Sequence, residues 1–213
     1  MPHPGSLERM TDSKNPPGQS SASHLLNESP RSLKRQLEIT RFERARGVIE
    51  SLAEHRALLT TMELARVNDI LTGAGQGQTS GTERAPWRQE PVTVTLPSGA
   101  THTLSILRDP KLSSRELLHK ATELSEEGGN AVDAAVDAYV GLVLLHAFQD
   151  ANRRTAVLAA HYFLQRYSVP LSGLAIHEIG LGDLREEGTI QELRATVHQM
   201  VKFASRGKNP QPK

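Results

Sequence analysis

The chain has 213 residues, of which 37% are hydrophobic and 4% aromatic; this supports one compact domain, and the long polar head argues against two. Lys and Arg number 25 and Asp and Glu 24, and this balance gives no support for a nucleic-acid or membrane-surface partner. The sequence contains no cysteine, which excludes disulfides, thiolate catalysis and cysteine-based zinc sites.

Both ends of the chain are poor in residues that could form a core. Residues 1–32 are dominated by Pro, Ser, Asn and Gly, and we interpret them as a disordered tail. Residues 206–213 are interpreted as a flexible C-terminal tail, which leaves one domain at 33–205. The N-terminus has no apolar signal-peptide core and no run is long enough to cross a bilayer, so we predict a cytoplasmic protein without a membrane partner. A secreted effector is an alternative that no sequence feature supports.

Helical periodicity begins at Leu33 and predicts two helices in succession. Thr60 and Glu63 form a capping box at the start of the second helix, and Gly73 ends it. The residues predicted to face the core are Ile39, Phe42, Ile49 and Leu52 in the first helix, and Leu64, Val67 and Leu71 in the second.

After Pro91 the apolar residues recur at every second position, which predicts a β-hairpin. Turn residues at 97–99 separate two alternating runs, and an isolated hairpin is only marginally stable, so this one should lie on the helical body. The alternating residues are Val92, Val94 and Leu96 before the turn, and His102, Leu104 and Ile106 after it.

Helical patterns resume after the hairpin. A capping box of Ser113 and Glu116 predicts a helix start, and Thr189 with Glu192 predicts the start of a final helix near 190–203. Between them, Asn130 is predicted to cap a further helix. The inner faces are predicted to carry Leu117, Ala121 and Leu124, then Val132, Val136, Tyr139, Val143 and Leu144, and last Leu193, Val197 and Val201. Residues 156–164 are apolar nearly all round, which indicates a central buried helix.

The loop between the two most apolar helices carries an unusual concentration of polar groups, HAFQDANRR at residues 146–154. The following helix begins near Asn152, and a helix N-terminus is a ready site for anions. The guanidinium groups of Arg153 and Arg154 can form bidentate hydrogen bonds with phosphate oxygens. Asp150 is a hard oxygen ligand suited to a Mg²⁺ ion that phosphates also coordinate. His146 could take a proton from an incoming hydroxyl. These are the parts that phosphoryl or nucleotidyl transfer requires.

Taken one at a time, these residues have ordinary structural interpretations. His146 could be a helix C-cap, Asp150 and Asn152 are common capping residues, and Arg153 and Arg154 could be surface charges. His146 and Asp150 also have a metal-like spacing, but no third ligand lies nearby, which argues against structural zinc. The joint pattern in a helix-loop-helix setting favours a functional site.

The loop resembles the signature of the Fic/Doc (Fido) family, H-x-F-x-(D/E)-(G/A)-N-(G/K)-R. The positions that fit are His146, Phe148, Asp150, Ala151, Asn152 and Arg154. Residues 61–71, 81–84 and 91–106 are similar to the family's early helix, its G-x-x-R segment and its target-docking flap. The resemblance extends over about 33–203 and is specific in the signature loop alone.

The resemblance implies a mostly α protein, a compact Fido helical bundle with a β-hairpin flap beside the active-site loop. It also implies a transferase in which His146 is the base for a Ser, Thr or Tyr hydroxyl of a target protein. Asp150 would hold Mg²⁺, and Phe148 would anchor the loop. The phosphates of ATP or another nucleoside triphosphate would bind to Asn152, Arg153 and Arg154. The flap residues Val92, Val94, Leu96 and Leu104 would align the target as an added strand.

Two positions depart from the AMP-transferring members of the family. Arg153 stands where they usually carry Gly, and Val157 stands where they often carry a second Arg. The loop is closer to the Doc branch, which favours phosphoryl transfer by a kinase-like toxin module. AMP transfer (AMPylation) by the same site and a catalytically degenerate binding module stay open. The family's inhibitory S/T-x-x-x-E-G/N helix has no match, so our hypothesis for restraint is a separate antitoxin-like protein.

Overall fold

The structure, a computed structural model, describes residues 30–74, 87–95, 98–127, 130–179 and 182–206. Contacts divide the chain into two units, Met1–Gln36 and Leu37–Lys213, and only 30–36 of the first are described. The predicted N-terminal tail up to residue 29, the G-x-x-R segment at 81–84, Leu96 with Pro97, and the C-terminal tail from 207 onward lie outside the described residues.

The described residues form seven helices and one antiparallel two-stranded sheet, which confirms a mostly α fold with a β-hairpin; the short helix at Gly173–Glu178 was not predicted. In chain order these are α1 (Pro30–Glu54), α2 (Thr61–Thr72), β1 (Val92–Thr95), β2 (Thr101–Leu104), α3 (Pro110–Glu127), α4 (Ala131–Leu145), α5 (Asn152–Arg166), α6 (Gly173–Glu178) and α7 (Glu187–Arg206). Helix α1 therefore includes residues 30–32, and α7 includes residue 206. None of these described helices combines the length and the apolar character needed to cross a membrane.

Helices α4 and α5 form the centre of the core, and α2, α3, α6 and α7 pack around them. Every residue of 156–164 is buried, which confirms the prediction of a central helix. His161 is the one strongly polar member of this segment. Its Nε2 lies 3.2 Å from Glu50 Oε1 and its Nδ1 accepts from the backbone N–H of Gly173, so its polarity is satisfied inside the core.

The predicted caps of α2 and α4 are confirmed. The Thr60 hydroxyl accepts from the backbone N–H of Glu63 at 3.3 Å, and Gly73 ends α2 in the left-handed region at φ 77°. The Asn130 side chain accepts from the backbone N–H of Asp133 at 3.2 Å. These contacts set where α2 and α4 begin, and α4 leads directly into the polar loop.

The predicted starts of α3 and α7 are wrong. Helix α3 begins at Pro110 because Asp109 Oδ1 accepts from the backbone N–H of Lys111 at 2.8 Å, and proline is favoured at a first helical position. Ser113 consequently lies inside the first turns of α3. Helix α7 begins at Glu187, so Thr189 lies within its first turn and is not its cap.

Two residues predicted to face the core do not. Ile39 is 54% exposed, because the buried stripe of α1 is formed further along by Ala45, Ile49 and Ala53 at intervals of four. Leu144 is 36% exposed because it lines a cavity between the last turn of α4 and the hairpin.

Strand β1 has the predicted alternation of half-buried and exposed residues, whereas in β2 only Leu104 is half-buried and His102 is exposed. Val92 pairs with Leu104 and Val94 with His102, which places Val92, Val94 and Leu104 on one half-buried face. The threonines of both strands lie on the other face, and strand β2 ends at Leu104, before the predicted end at Ile106.

Candidate active site

The polar loop at 146–151 is held between two residues in the left-handed region. His146 ends α4 at φ 49° and Ala151 precedes α5 at φ 57°. This backbone conformation is uncommon for residues other than glycine, so both turns depend on support from the surrounding structure. Together they place an imidazole at one end of the loop and the N-terminus of a buried helix at the other.

Phe148 anchors the loop in the core, as predicted. Its side chain is 1% exposed and stacks on Trp87, with ring centroids 4.6 Å apart. The two residues also form a backbone bridge, and the N–H of Arg88 donates to the carbonyl of Ala147 at 2.8 Å. The loop is therefore attached to the segment that leads into the hairpin.

The amide of Asn152 is fully engaged within the loop. Its Oδ1 accepts from the backbone N–H of Phe148 and its Nδ2 donates to the carbonyl of the same residue, both at 2.8 Å. The side chain is buried. Asn152 thus shapes the loop with its side chain, and what it offers to a ligand is its backbone N–H at the start of α5.

Asn68 also supports the site, a role that was not predicted from the sequence. This buried residue of α2 donates from Nδ2 to the carbonyl of Asp150 at 2.9 Å and to Thr155 Oγ1 at 3.0 Å. The sequence does contain an indication of this role, because Asn68 is the amide residue on the otherwise apolar helix face of Leu64 and Leu71, and a buried amide requires hydrogen-bond partners.

The loop and the first turn of α5 line a cavity of about 270 Å³. Its walls are His146, Gln149, Asp150, Ala151, Asn152, Arg153 and Arg154. The N-cap residue of α5 is Ala151, which has no side chain able to cap, so the first-turn N–H groups are available to a ligand. Arg153 is exposed, and Arg154 Nη2 lies 3.7 Å from Asp150 Oδ1. The helix end and the two guanidiniums favour an anion such as phosphate.

The imidazole of His146 has the protonation state of a general base. Its Nδ1 lies 3.3 Å from the carbonyl oxygen of Val143, and because a carbonyl only accepts, Nδ1 carries the proton and Nε2 keeps its lone pair. Burial lowers the pKa of His146, the hydrogen bond to Val143 opposes this effect, and the charges of Arg88 and Arg153 lower the pKa further. The ring is therefore neutral at physiological pH.

This pKa predicts the pH dependence of any reaction in which His146 is the base. The neutral form exists above the pKa, so activity should persist at pH 7 and fall as the pH drops through a value below 6.5. Arg153→Gln removes one of the charges that lower the pKa, so its acid limb should move to higher pH. A kcat/KM profile of both proteins measures this; an acid limb of the parent centred above pH 7 would contradict it.

Asp150 is the residue that fits a divalent cation. Its side chain is largely exposed at the cavity, with Oδ1 close to Arg154 and accepting from the backbone N–H of Ala151. Among the residues that the structure describes, no group of three or more His, Asp or Glu side chains could hold a metal alone. A single carboxylate matches the way proteins hold Mg²⁺ jointly with nucleotide phosphates.

The hairpin is joined to the end of α4 through Arg88. Its Nη1 donates to the carbonyl of Leu104 at 2.6 Å and its Nη2 to the carbonyl of Leu145 at 3.4 Å. The hairpin therefore lies beside the catalytic candidate His146, as expected. Val157, in contrast, is buried in the core and does not face the cavity.

Comparison with known proteins agrees with this arrangement. A family model described as the Fic/DOC family matches residues 58–164, about half of the chain. A solved structure of a Fic domain containing signaling protein from Bacteroides thetaiotaomicron has a TM-score of 0.59 and 17% sequence identity, with 85% of this chain and 76% of that chain covered. No curated protein sequence matches the chain significantly. At this identity the solved structure shows a shared fold.

Proposed function

We propose, because this chain belongs to the Fic/DOC family, that its loop at 146–154 transfers a phosphate-containing group from a nucleoside triphosphate to a hydroxyl side chain of a target protein. Members of the family generally transfer nucleotide-derived groups to proteins. The observation that carries the proposal is one cavity bounded by the neutral imidazole of His146 and by the uncapped N-terminus of α5 with Arg154.

The proposed step begins with the target hydroxyl at Nε2 of His146. As Nε2 takes the proton, the hydroxyl oxygen forms a bond to the transferred phosphorus, and the bond from that phosphorus to its bridging oxygen breaks. The leaving group is a nucleoside diphosphate if the γ-phosphorus is attacked. Arg154 and the first-turn N–H groups of α5 stabilise the phosphate charge. Asp150 would hold Mg²⁺, whose charge would neutralise phosphate oxygens when it is bound.

Phosphoryl transfer is our leading version of this reaction. Val157, at the position of the second arginine of AMP-transferring relatives, is buried and offers no charge to a terminal phosphate. Arg153 replaces their glycine and lines the cavity with a bulky cation. AMP transfer would use the same His146 and Arg154 but would attack the α-phosphorus and release pyrophosphate, so the two reactions differ in the part of ATP that stays on the target.

A labelling experiment decides between these reactions. The full chain is incubated with native-host proteins and Mg²⁺, and with ATP labelled at either the γ- or the α-phosphate. We expect the γ-label to remain on protein; retention of the α-label alone would replace phosphoryl transfer by AMP transfer. No transfer of either label would contradict the transferase proposal and favour a binding module.

We further propose that the chain is a toxin module of the cytoplasm, restrained by a separate antitoxin-like protein. This part of the proposal is supported by the Doc-like sequence of residues 151–156. It is also supported by the sequence having no match to the family's inhibitory motif. A pull-down of the chain from its native host should recover a small, stable partner, and expression without that partner should arrest growth. Recovery of no such partner would count against restraint by a separate protein.

A further inference from the structure

A second cavity, of about 530 Å³, lies between the hairpin and the end of α4, and we call it the Arg88 groove. Its lining includes Arg88 and Arg108 and the leucines Leu104, Leu107, Leu144 and Leu145. Leu144 and Leu145 immediately precede His146, and a helix rises about 1.5 Å per residue, so one wall of the groove ends at the candidate base. The cavity at the α5 N-terminus is lined by a different set of residues, and His146 is the first of them in the chain.

The charge of Arg88 is buried without a counter-charge in the described part of the chain. The residue is 5% exposed, and its hydrogen bonds go to the backbone carbonyls of Glu90, Leu104 and Leu145. Its Nε is buried and has no hydrogen-bond partner among the residues that the structure describes. The carbonyl end of α4 offsets part of the cost of burying a cation, but a carboxylate would offset it better.

The rest of the groove adds positive charge and exposed apolar surface. Among the described lining residues, Arg108 is a second cation in addition to Arg88, and none is Asp or Glu. Within the described ranges, Arg108 pairs with Glu116 across 3.8 Å at the surface, which is a weak interaction. Leu107 is 90% exposed and Leu144 is 36% exposed. This combination is complementary to a segment that brings a carboxylate and an apolar side chain together.

We infer that the Arg88 groove binds the part of the target protein next to its acceptor hydroxyl, and that it selects segments with an Asp or Glu and an apolar residue close to the acceptor. This inference rests on the proposed function, which places the acceptor hydroxyl at His146. Two residues of extended chain span roughly 7 Å, so a side chain two positions from the acceptor reaches past the end of α4 into the groove. The groove would thus set the sequence specificity of the transferase.

Synthetic peptides test the inference without requiring turnover. Each peptide has a single Ser, Thr or Tyr as the acceptor. One series has Asp and Leu at the positions two residues to either side of the acceptor, and the other series has Lys and Leu there. Their binding to the full-length His146→Ala protein is measured by fluorescence anisotropy, so that no group is transferred. We expect the Asp peptides to bind about ten-fold more tightly than the Lys peptides, and this preference to shrink as ionic strength rises.

Surface variants locate the binding in the groove. Arg88→Gln could disturb the attachment of the hairpin, so the tests are Arg108→Gln and Leu107→Asp, at exposed positions on the rim. Arg108→Gln should reduce the preference for Asp by about two- to five-fold, and Leu107→Asp should remove it by repulsion. Arg115→Gln is the matched control, because Arg115 is exposed on α3 and does not line the groove, and it should leave the preference unchanged.

The outcomes separate this inference from the proposed function. Equal binding of Asp and Lys peptides, or a preference that survives Leu107→Asp, overturns the groove as a selector even if the parent protein labels its targets. A preference for Asp that depends on Leu107 and Arg108, in a protein that transfers neither label, supports the groove and contradicts the transferase.

Discussion

Replacing His146 by Ala is expected to reduce label transfer by about 10²- to 10⁴-fold, the usual contribution of a positioned general base. The cavity would keep Arg154 and the N-terminus of α5, so nucleotide binding should change little. The effect should therefore appear in kcat and not in the affinity for nucleotide. Single-turnover transfer of γ-labelled ATP and a separate nucleotide titration measure the two quantities.

Two further variants keep this test interpretable. His146 adopts a left-handed conformation at φ 49°, which Asn tolerates better than Ala, so His146→Asn should fold well but remain inactive for lack of a basic nitrogen. His119→Ala removes an exposed histidine of α3 and should retain full activity. Transfer by His146→Asn at more than a tenth of the parent rate would contradict the assignment of His146 as the base.

Replacing Phe148 by Ala is expected to lower the free energy of unfolding by about 3–5 kcal/mol, as is typical when a buried aromatic side chain is truncated. The ring is 1% exposed and stacks on Trp87, so its loss leaves a cavity beneath the loop. Because the backbone of Phe148 also bonds to the amide of Asn152, the start of α5 should lose its fixed position, and transfer should fall in the variants that remain folded.

Chemical denaturation of matched variants checks this prediction. Phe148→Leu fills part of the same space and should be less destabilising than Phe148→Ala. Phe203→Ala removes the same side chain from an exposed position of α7 and should stay within about 0.5 kcal/mol of the parent protein. If Phe148→Ala and Phe203→Ala unfolded at the same denaturant concentration, the loop would not be anchored by this ring.

The helix caps at Thr60 and Asn130 could be predicted because a cap depends on residues within one turn of the chain. The same local logic failed at Ser113, where Asp109 and Pro110 offered a stronger helix start a few residues earlier. The hairpin and the central helix could be predicted from the period of their apolar residues. The exposure of Ile39 and Leu144 could not be predicted, because periodicity does not show which part of a helix face is covered by neighbouring elements.

The candidate site could be predicted in part, because its cavity is formed by one continuous stretch of chain. The spacing of 146–154 predicted that an imidazole and a helix N-terminus would meet. It could not predict that the Asn152 side chain bonds to Phe148, nor that Asn68 holds Asp150 from α2. Arg88 was missed for the same reason, since its partners Leu104 and Leu145 are brought to it by the fold.

The most direct test of the account is a crystal structure of the full chain with Mg²⁺ and a non-hydrolysable ATP analogue. We expect a phosphate within hydrogen-bond distance of the first-turn N–H groups of α5 and of Arg154, with Mg²⁺ on Asp150. Phosphoryl transfer further requires that the γ-phosphorus lie nearest to Nε2 of His146. A nucleotide bound elsewhere, or a helix N-terminus that stays free of phosphate at saturating nucleotide, would contradict it.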